Sequence, residues 1–198
     1  FLFFSYAMLS LMADISNASA ELLGFTNYVY FRAPFFASNP KIFWERWNIP
    51  LSDFLQKNIY VPLTKIKILP MSLVLICTFI AMGMCYAPTF NMLLWAVYNA
   101  LILIIYNYFD KMWGKIKIES KIINTSIKVL GAIITTDLFA TGIIFLLAPS
   151  LQQTLEYFYY ANVAFYLSAD TIQFAVLGII LIIPLLFIDA ICQKQKLL

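Results

Sequence analysis

From Ile68 to Phe109 the chain carries no charged side chain. A helix rises about 1.5 Å per residue and the hydrocarbon layer is about 30 Å thick, so one crossing uses about 20 apolar residues. The stretch is too long for one crossing and right for two. Pro88, within Tyr86-Ala87-Pro88-Thr89, supplies the break, because proline lacks the amide proton a helix needs and clashes with the preceding turn. A hairpin of two membrane helices is the first expectation.

Composition extends it to the whole chain. The hydrophobic fraction is 63% and the charged fraction 12%, about half the charge of a soluble domain. So little polar surface cannot coat a water-soluble globule. The fold class expected is all-α: a polytopic transmembrane helix bundle forming a single membrane domain over residues 1–198, with about five spans and with interfacial or re-entrant helices at 26–66. Phe1 to Phe25 is a candidate span, interrupted by Asp14 and Glu21. Residues 26–66 mix Arg32, Lys41, Glu45, Arg46, Asp53, Lys57 and Lys65 with Pro34, Pro40, Pro50 and Pro62, which suits short helices rather than a clean crossing. Residues 110–122 read as a basic loop, and a span follows from about Ile123 to Ala148, ended by Pro149-Ser150. Residues 150–170 are polar and aromatic, as along an interface. A last span covers about Thr171 to Ile191, with Pro184 as a kink. The chain opens Phe1-Leu2-Phe3-Phe4, without Met, basic leader or cleavage site. That reads as the C-terminal part of a longer protein, not as a signal peptide.

The lysines give a direction. Lys57, Lys65 and Lys67 precede the apolar pair, Lys111, Lys115, Lys117 and Lys121 follow it, and Lys194 and Lys196 come two spans later. All three groups fall on one side, which the positive-inside bias makes cytoplasmic. The net charge of +3 is thus a topology signal and not a sign of nucleic-acid binding. The expected surroundings are the lipid bilayer of a bacterial cytoplasmic (inner) membrane.

Cys77, Cys85 and Cys192 are an odd number in apolar settings, so they read as small buried hydrophobes and not as disulfides or metal ligands. The chain has no histidine. This removes the commonest general base and metal ligand, and no metal site is expected.

The most informative stretch is Lys41-Ile42-Phe43-Trp44-Glu45-Arg46-Trp47-Asn48-Ile49-Pro50-Leu51-Ser52, followed by Tyr60-Val61-Pro62-Leu63. By chemistry alone it is a tryptophan-rich amphipathic segment suited to the headgroup level. Its string Phe43-Trp44-x-Arg46-Trp47-x-Ile49-x-Leu51-Ser52 resembles the signature of the membrane-bound O-acyltransferase (MBOAT) family. It is most similar to the bacterial branch that acetylates alginate and related polysaccharides or transfers D-alanine to teichoic acid. Weaker matches fall in the family's order. They are Ala13-Asp14-Ile15, Leu22-Leu23-Gly24-Phe25, Phe31-Arg32-Ala33-Pro34-Phe35, Gly83-Met84-Cys85-Tyr86-Ala87 with Asn91 and Trp95, and Leu147-Ala148-Pro149-Ser150-Leu151.

The resemblance implies a reaction and also a defect. In the family, a histidine takes the proton from an acceptor hydroxyl as it attacks the acyl carbonyl. Tyr86 stands at that position, and a phenol with a pKa of about 10 is a poor base at neutral pH. Asn48 replaces the histidine of the tryptophan motif, Asn99 replaces a further histidine, and Leu147 replaces an arginine. The implied roles are Tyr86 at the former base, Asn48 and Arg46 for positioning, Trp44 and Trp47 as anchors, and Asn99 and Asp14 lining the substrate cavity. Asp137 reads as a buried hydrogen-bonded group, and Cys85 lacks the basic neighbour that would make it a nucleophile.

The expected function is that of an O-acyltransferase family member, catalytically impaired, whose ancestral reaction moves an acyl group to hydroxyls of a cell-surface polymer. No bound cofactor is implied. The acyl donor, acyl-CoA or acyl carrier protein, is a substrate, and a periplasmic or extracellular polymer-modifying protein is the implied partner. One alternative is an active enzyme with a non-standard base. Another, from a different class, is a transport or channel module with a water path lined by Asp14 and Asp137 and no pocket at Tyr86.

Overall fold

The computed structural model describes residues 2–113, 120–148 and 150–162. The predicted span at 171–191, the tail lysines, Lys115 and Lys117 lie outside the described residues. Helices dominate, and no strand occurs among the described residues. The protein is an all-α membrane protein.

Helix α1 (Leu2–Leu22) ends where its sequence says it should. Gly24 takes a positive φ of 81°, and the Phe25 amide donates back to the Ala20 carbonyl at 2.9 Å. This is the left-handed helix stop that glycine makes without steric cost. An irregular stretch then leads through a 3-10 turn (Pro34–Phe36) into α2 (Pro40–Arg46), α3 (Ile49–Leu55), a π-helical turn (Gln56–Tyr60) and α4 (Val61–Thr64). The expectation of short, proline-started helices in residues 26–66 matches this. Asn39 caps α2 by accepting the Ile42 amide at 2.9 Å, with Pro40 at the first helical position.

The apolar hairpin is α5 (Met71–Tyr86) and α6 (Phe90–Trp113), with the break at Ala87-Pro88-Thr89 as expected. The two helices pack closely because the contacting residues are small. Ala96 and Ala100 on α6 are fully buried, and a Cβ on Gly83 would stand 2.8 Å from the Met92 carbonyl oxygen. Small residues spaced in this way let helix backbones approach in a membrane.

Helix α7 (Lys121–Gly142) runs on, after a break at Ile143, into the short α8 (Ile144–Leu147), and α9 (Leu151–Asn162) follows. Two stretches among the described residues are long and apolar enough to cross a bilayer: Phe90–Met112 and Lys121–Leu147. The other two candidate crossings among the described residues fall short of that measure, and the span expected at 171–191 lies outside them. Helix α5 has 16 residues, about 24 Å of rise against a layer of about 30 Å. Helix α1 is long enough, but Asp14, Asn17 and Glu21 lower its apolarity.

One glycine fixes how α7 meets the short-helix section. A Cβ on Gly131 would collide with the Ser38 carbonyl oxygen. Nearby, the Thr136 hydroxyl donates to the Phe35 carbonyl at 3.4 Å. Backbone cannot yield as a flexible side chain can. Gly131→Ala is therefore expected to cost about 1–3 kcal/mol, seen as a lowered midpoint of thermal unfolding in detergent. An unchanged midpoint would contradict this close packing.

The core is aromatic. Phe43 lies between the rings of Phe139 (centroids 3.7 Å apart, 11° between planes) and Trp47 (5.4 Å, 16°). Tyr6 meets Phe31 and Phe35 edge-on at 5.2 and 5.0 Å. Helices α1, α2 and α7 and the 26–66 section are thus joined around the tryptophan motif.

Candidate active site

The tryptophan motif makes a sharp corner. Helix α2 ends at Arg46, Trp47 is extended, and Asn48 enters the left-handed region at φ 41°, ψ 58° before Ile49-Pro50 starts α3. Asparagine tolerates that region better than most residues. At the start of a helix an asparagine normally caps with its own side chain, but Asn48 makes no such bond. Its carboxamide Nδ2 instead donates to the Tyr86 phenol oxygen at 3.0 Å.

The backbone holds the corner on both flanks. The Arg32 amide donates to the Arg46 carbonyl at 3.0 Å, and the Ile49 amide donates to the Tyr30 carbonyl at 2.9 Å. The Ser52 hydroxyl reaches the Trp47 carbonyl at 3.2 Å. Removing the Asn48 side chain takes away both the phenol contact and the residue best suited to the backbone. Asn48→Ala is expected to destabilise by about 2 kcal/mol, and Asn48→Gly by less, measured by denaturant unfolding. Equal losses would contradict the backbone part of this explanation.

Tyr86 ends α5 with its ring edge-on to Trp95, centroids 5.8 Å apart. It projects into a cavity of about 140 Å³, walled by Phe43, Trp44, Trp47, Trp95 and Phe139 among others. A second cavity of about 560 Å³ is larger and charged, carrying Arg32, Lys41, Glu45 and Asp53. Trp44 borders both.

The residues predicted for the site fall at different depths. Asn48 and Tyr86, far apart in sequence, are in direct contact. Trp44 and Trp47 line the smaller cavity. Asn99 is fully buried one helical turn beyond Trp95. It donates to the Trp95 carbonyl at 2.7 Å and lines neither cavity, which corrects its expected place beside Asn48 and Tyr86. Arg46 lines neither cavity. Its Nη1 donates at 3.4 Å to the carbonyl of Ala33, a buried residue held at φ 46°.

Asp14 is a correction: it is exposed and lines neither cavity. The preceding Ala13 is buried, and adjacent helical residues point about 100° apart, so Asp14 turns away from the packed face. Asp137 is likewise exposed and not the buried group expected. A cavity is present at Tyr86, and neither acid lines it. Cys85 is exposed rather than buried, and Cys77 is half-buried. Among the described residues no three His, Cys, Asp or Glu side chains converge to hold a metal.

Sequence reasoning missed Phe139, Ile143 and Met92 as cavity walls. Phe139 is one of many apolar residues in α7, and nothing local marks it. Phe43 was within the motif string and could have been found by its spacing from Trp44 and Trp47.

Residues 1–145 match the membrane-bound O-acyltransferase family, and the chain belongs to that family. A curated relative, the peptidoglycan O-acetyltransferase of Helicobacter pylori (strain ATCC 700392 / 26695), is 26% identical over 130 residues. That match covers 65% of this chain and 24% of the relative, so the chain spans about a quarter of the relative's length.

Proposed function

We propose that this chain forms the reaction-centre part of a membrane-bound O-acyltransferase whose catalytic power is strongly reduced. The observation that carries the proposal is the Asn48–Tyr86 hydrogen bond inside an aromatic cavity. The two positions matched to family histidines lie in contact, which supports one ancestral reaction centre. The donor is an acyl thioester, acyl-CoA or acyl carrier protein, and the acceptor is a hydroxyl of a cell-surface polymer. The name of the Helicobacter pylori relative favours acetyl as the group and a glycan as the acceptor. The bilayer is the bacterial cytoplasmic membrane with the basic loops inside, and a periplasmic polymer-modifying protein is the proposed partner.

The chemistry follows from what the two side chains can do. A carboxamide donates and accepts but does not take up a proton near neutral pH, and a phenol is almost wholly protonated there. Together they orient a carbonyl and stabilise negative charge on its oxygen. They do not deprotonate the acceptor hydroxyl, so the general-base contribution is lost.

The test is transfer of radiolabelled acetyl to a membrane glycan by the full-length protein, beside an active family member in the same membranes. The expected rate is below the active member's by about a hundred- to ten-thousand-fold. Transfer at the active member's rate would overturn the impairment.

A further inference from the structure

Trp44 is the wall shared by the two cavities. It borders the chamber of about 140 Å³ that holds the Tyr86 phenol, and it borders the charged cavity of about 560 Å³. Helix α6 contributes to the same partition. Trp95 lines the first cavity and Leu103 the second. Asn99 lies between them at four-residue spacing, which places all three on one helix face. The Trp44 indole is held by Phe79 at 5.1 Å, Phe139 at 5.3 Å and Trp95 at 5.9 Å, all edge-on.

Two polar atoms in this partition lack partners. The Trp44 indole N–H and the Asn99 side-chain oxygen are both buried without a hydrogen bond among the described residues. Buried donors and acceptors are costly to leave unpaired.

We propose that Trp44 sets the length of the acyl group this site accepts, by closing the Tyr86 chamber against the larger cavity. This rests on the acyl-transfer reading above. The chamber's volume is close to that of an apolar cavity of about 150 Å³ that holds benzene, a guest of six carbons. An acetyl or butyryl group fits. An octanoyl chain has to displace the Trp44 indole.

The test uses the full-length protein in lipid nanodiscs and equilibrium binding of radiolabelled N-acetylcysteamine thioesters of acetate, butyrate, hexanoate and octanoate. Protein-free nanodiscs give the blank. The unmodified protein is expected to bind butyryl over octanoyl by at least about tenfold, the discrimination that overpacking a tight site produces. Trp44→Ala opens the partition and is expected to abolish or reverse that ratio, since each added methylene buried gains about fourfold. Trp44→Phe keeps a large ring and loses the N–H. It should keep the length preference.

Equal binding of octanoyl and butyryl by the unmodified protein overturns the proposal. So does an unchanged ratio in folded Trp44→Ala. If that variant does not fold, the length profile of the unmodified protein decides the question by itself. Failure of every thioester to bind every form overturns the acyl-transfer reading, and the length proposal with it.

Discussion

Tyr86→His in the full-length protein is expected to raise acyl transfer by about a hundred- to ten-thousand-fold. The substitution puts an imidazole in place of the phenol ring, whose oxygen now accepts the Asn48 carboxamide at 3.0 Å. The cavity around it is already built, with Trp95 edge-on to the ring at position 86 and Trp47 and Trp44 completing the wall. Nothing in the backbone needs to change, since residue 86 ends a regular helix. Histidine is smaller than tyrosine, so it enters without a clash and leaves its ring nitrogens facing the aromatic cavity.

The gain should depend on pH. The base works in its neutral form, and an ordinary imidazole has a pKa of about 6.5. The rate of Tyr86→His should therefore rise with pH through that region and level off above it, while the unmodified protein shows no such step. The measurement is initial rate of acetyl transfer across that pH range. A Tyr86→His protein that binds donor yet transfers no faster than the unmodified one would show that more than the base has been lost.

Phe43→Ala is expected to be the most damaging single truncation for stability, by about 3–5 kcal/mol. Phe43 is almost fully buried, with 2% of its surface exposed. Its ring is stacked on both sides, by Phe139 from α7 and Trp47 from the corner, and meets Trp44 edge-on at 5.7 Å. Removing it leaves a cavity between α2, α7 and the corner that backbone hydrogen bonds hold on both flanks, so collapse to fill the space is limited. Trp47 would lose its stacking partner and Asn48, the next residue, its fixed position. Loss of stability and loss of binding at Tyr86 should appear together. Unfolding midpoints in detergent for Phe43→Ala and Phe43→Leu give the comparison, with the leucine variant recovering part of the loss. A small effect from Phe43→Ala would mean that the aromatic stack does not hold α7 to the motif.

Much of this was legible in the sequence, for identifiable reasons. The apolar hairpin was read from the charge-free run and Pro88, because a bilayer makes such a run hard to place elsewhere. The short helices of residues 26–66 were read from their prolines, which fix where helices begin. The meeting of Asn48 and Tyr86 came from family resemblance alone, since no local pattern links residues so far apart. What failed was facing. Asp14, Asp137 and Cys85 were assigned surroundings from the composition of their helices, but a step of one residue turns a side chain by about 100°. Ala13 is buried and Asp14 exposed for that reason alone.

The most direct measurement is an experimental structure of the full-length protein in nanodiscs with a non-hydrolysable acetyl thioester analogue bound. The expected result is acyl density in the aromatic chamber, with its carbonyl oxygen within hydrogen-bonding distance of the Tyr86 hydroxyl and the Asn48 carboxamide still on the phenol oxygen. Density elsewhere in the protein, or Asn48 and Tyr86 separated by intervening side chains, would contradict it.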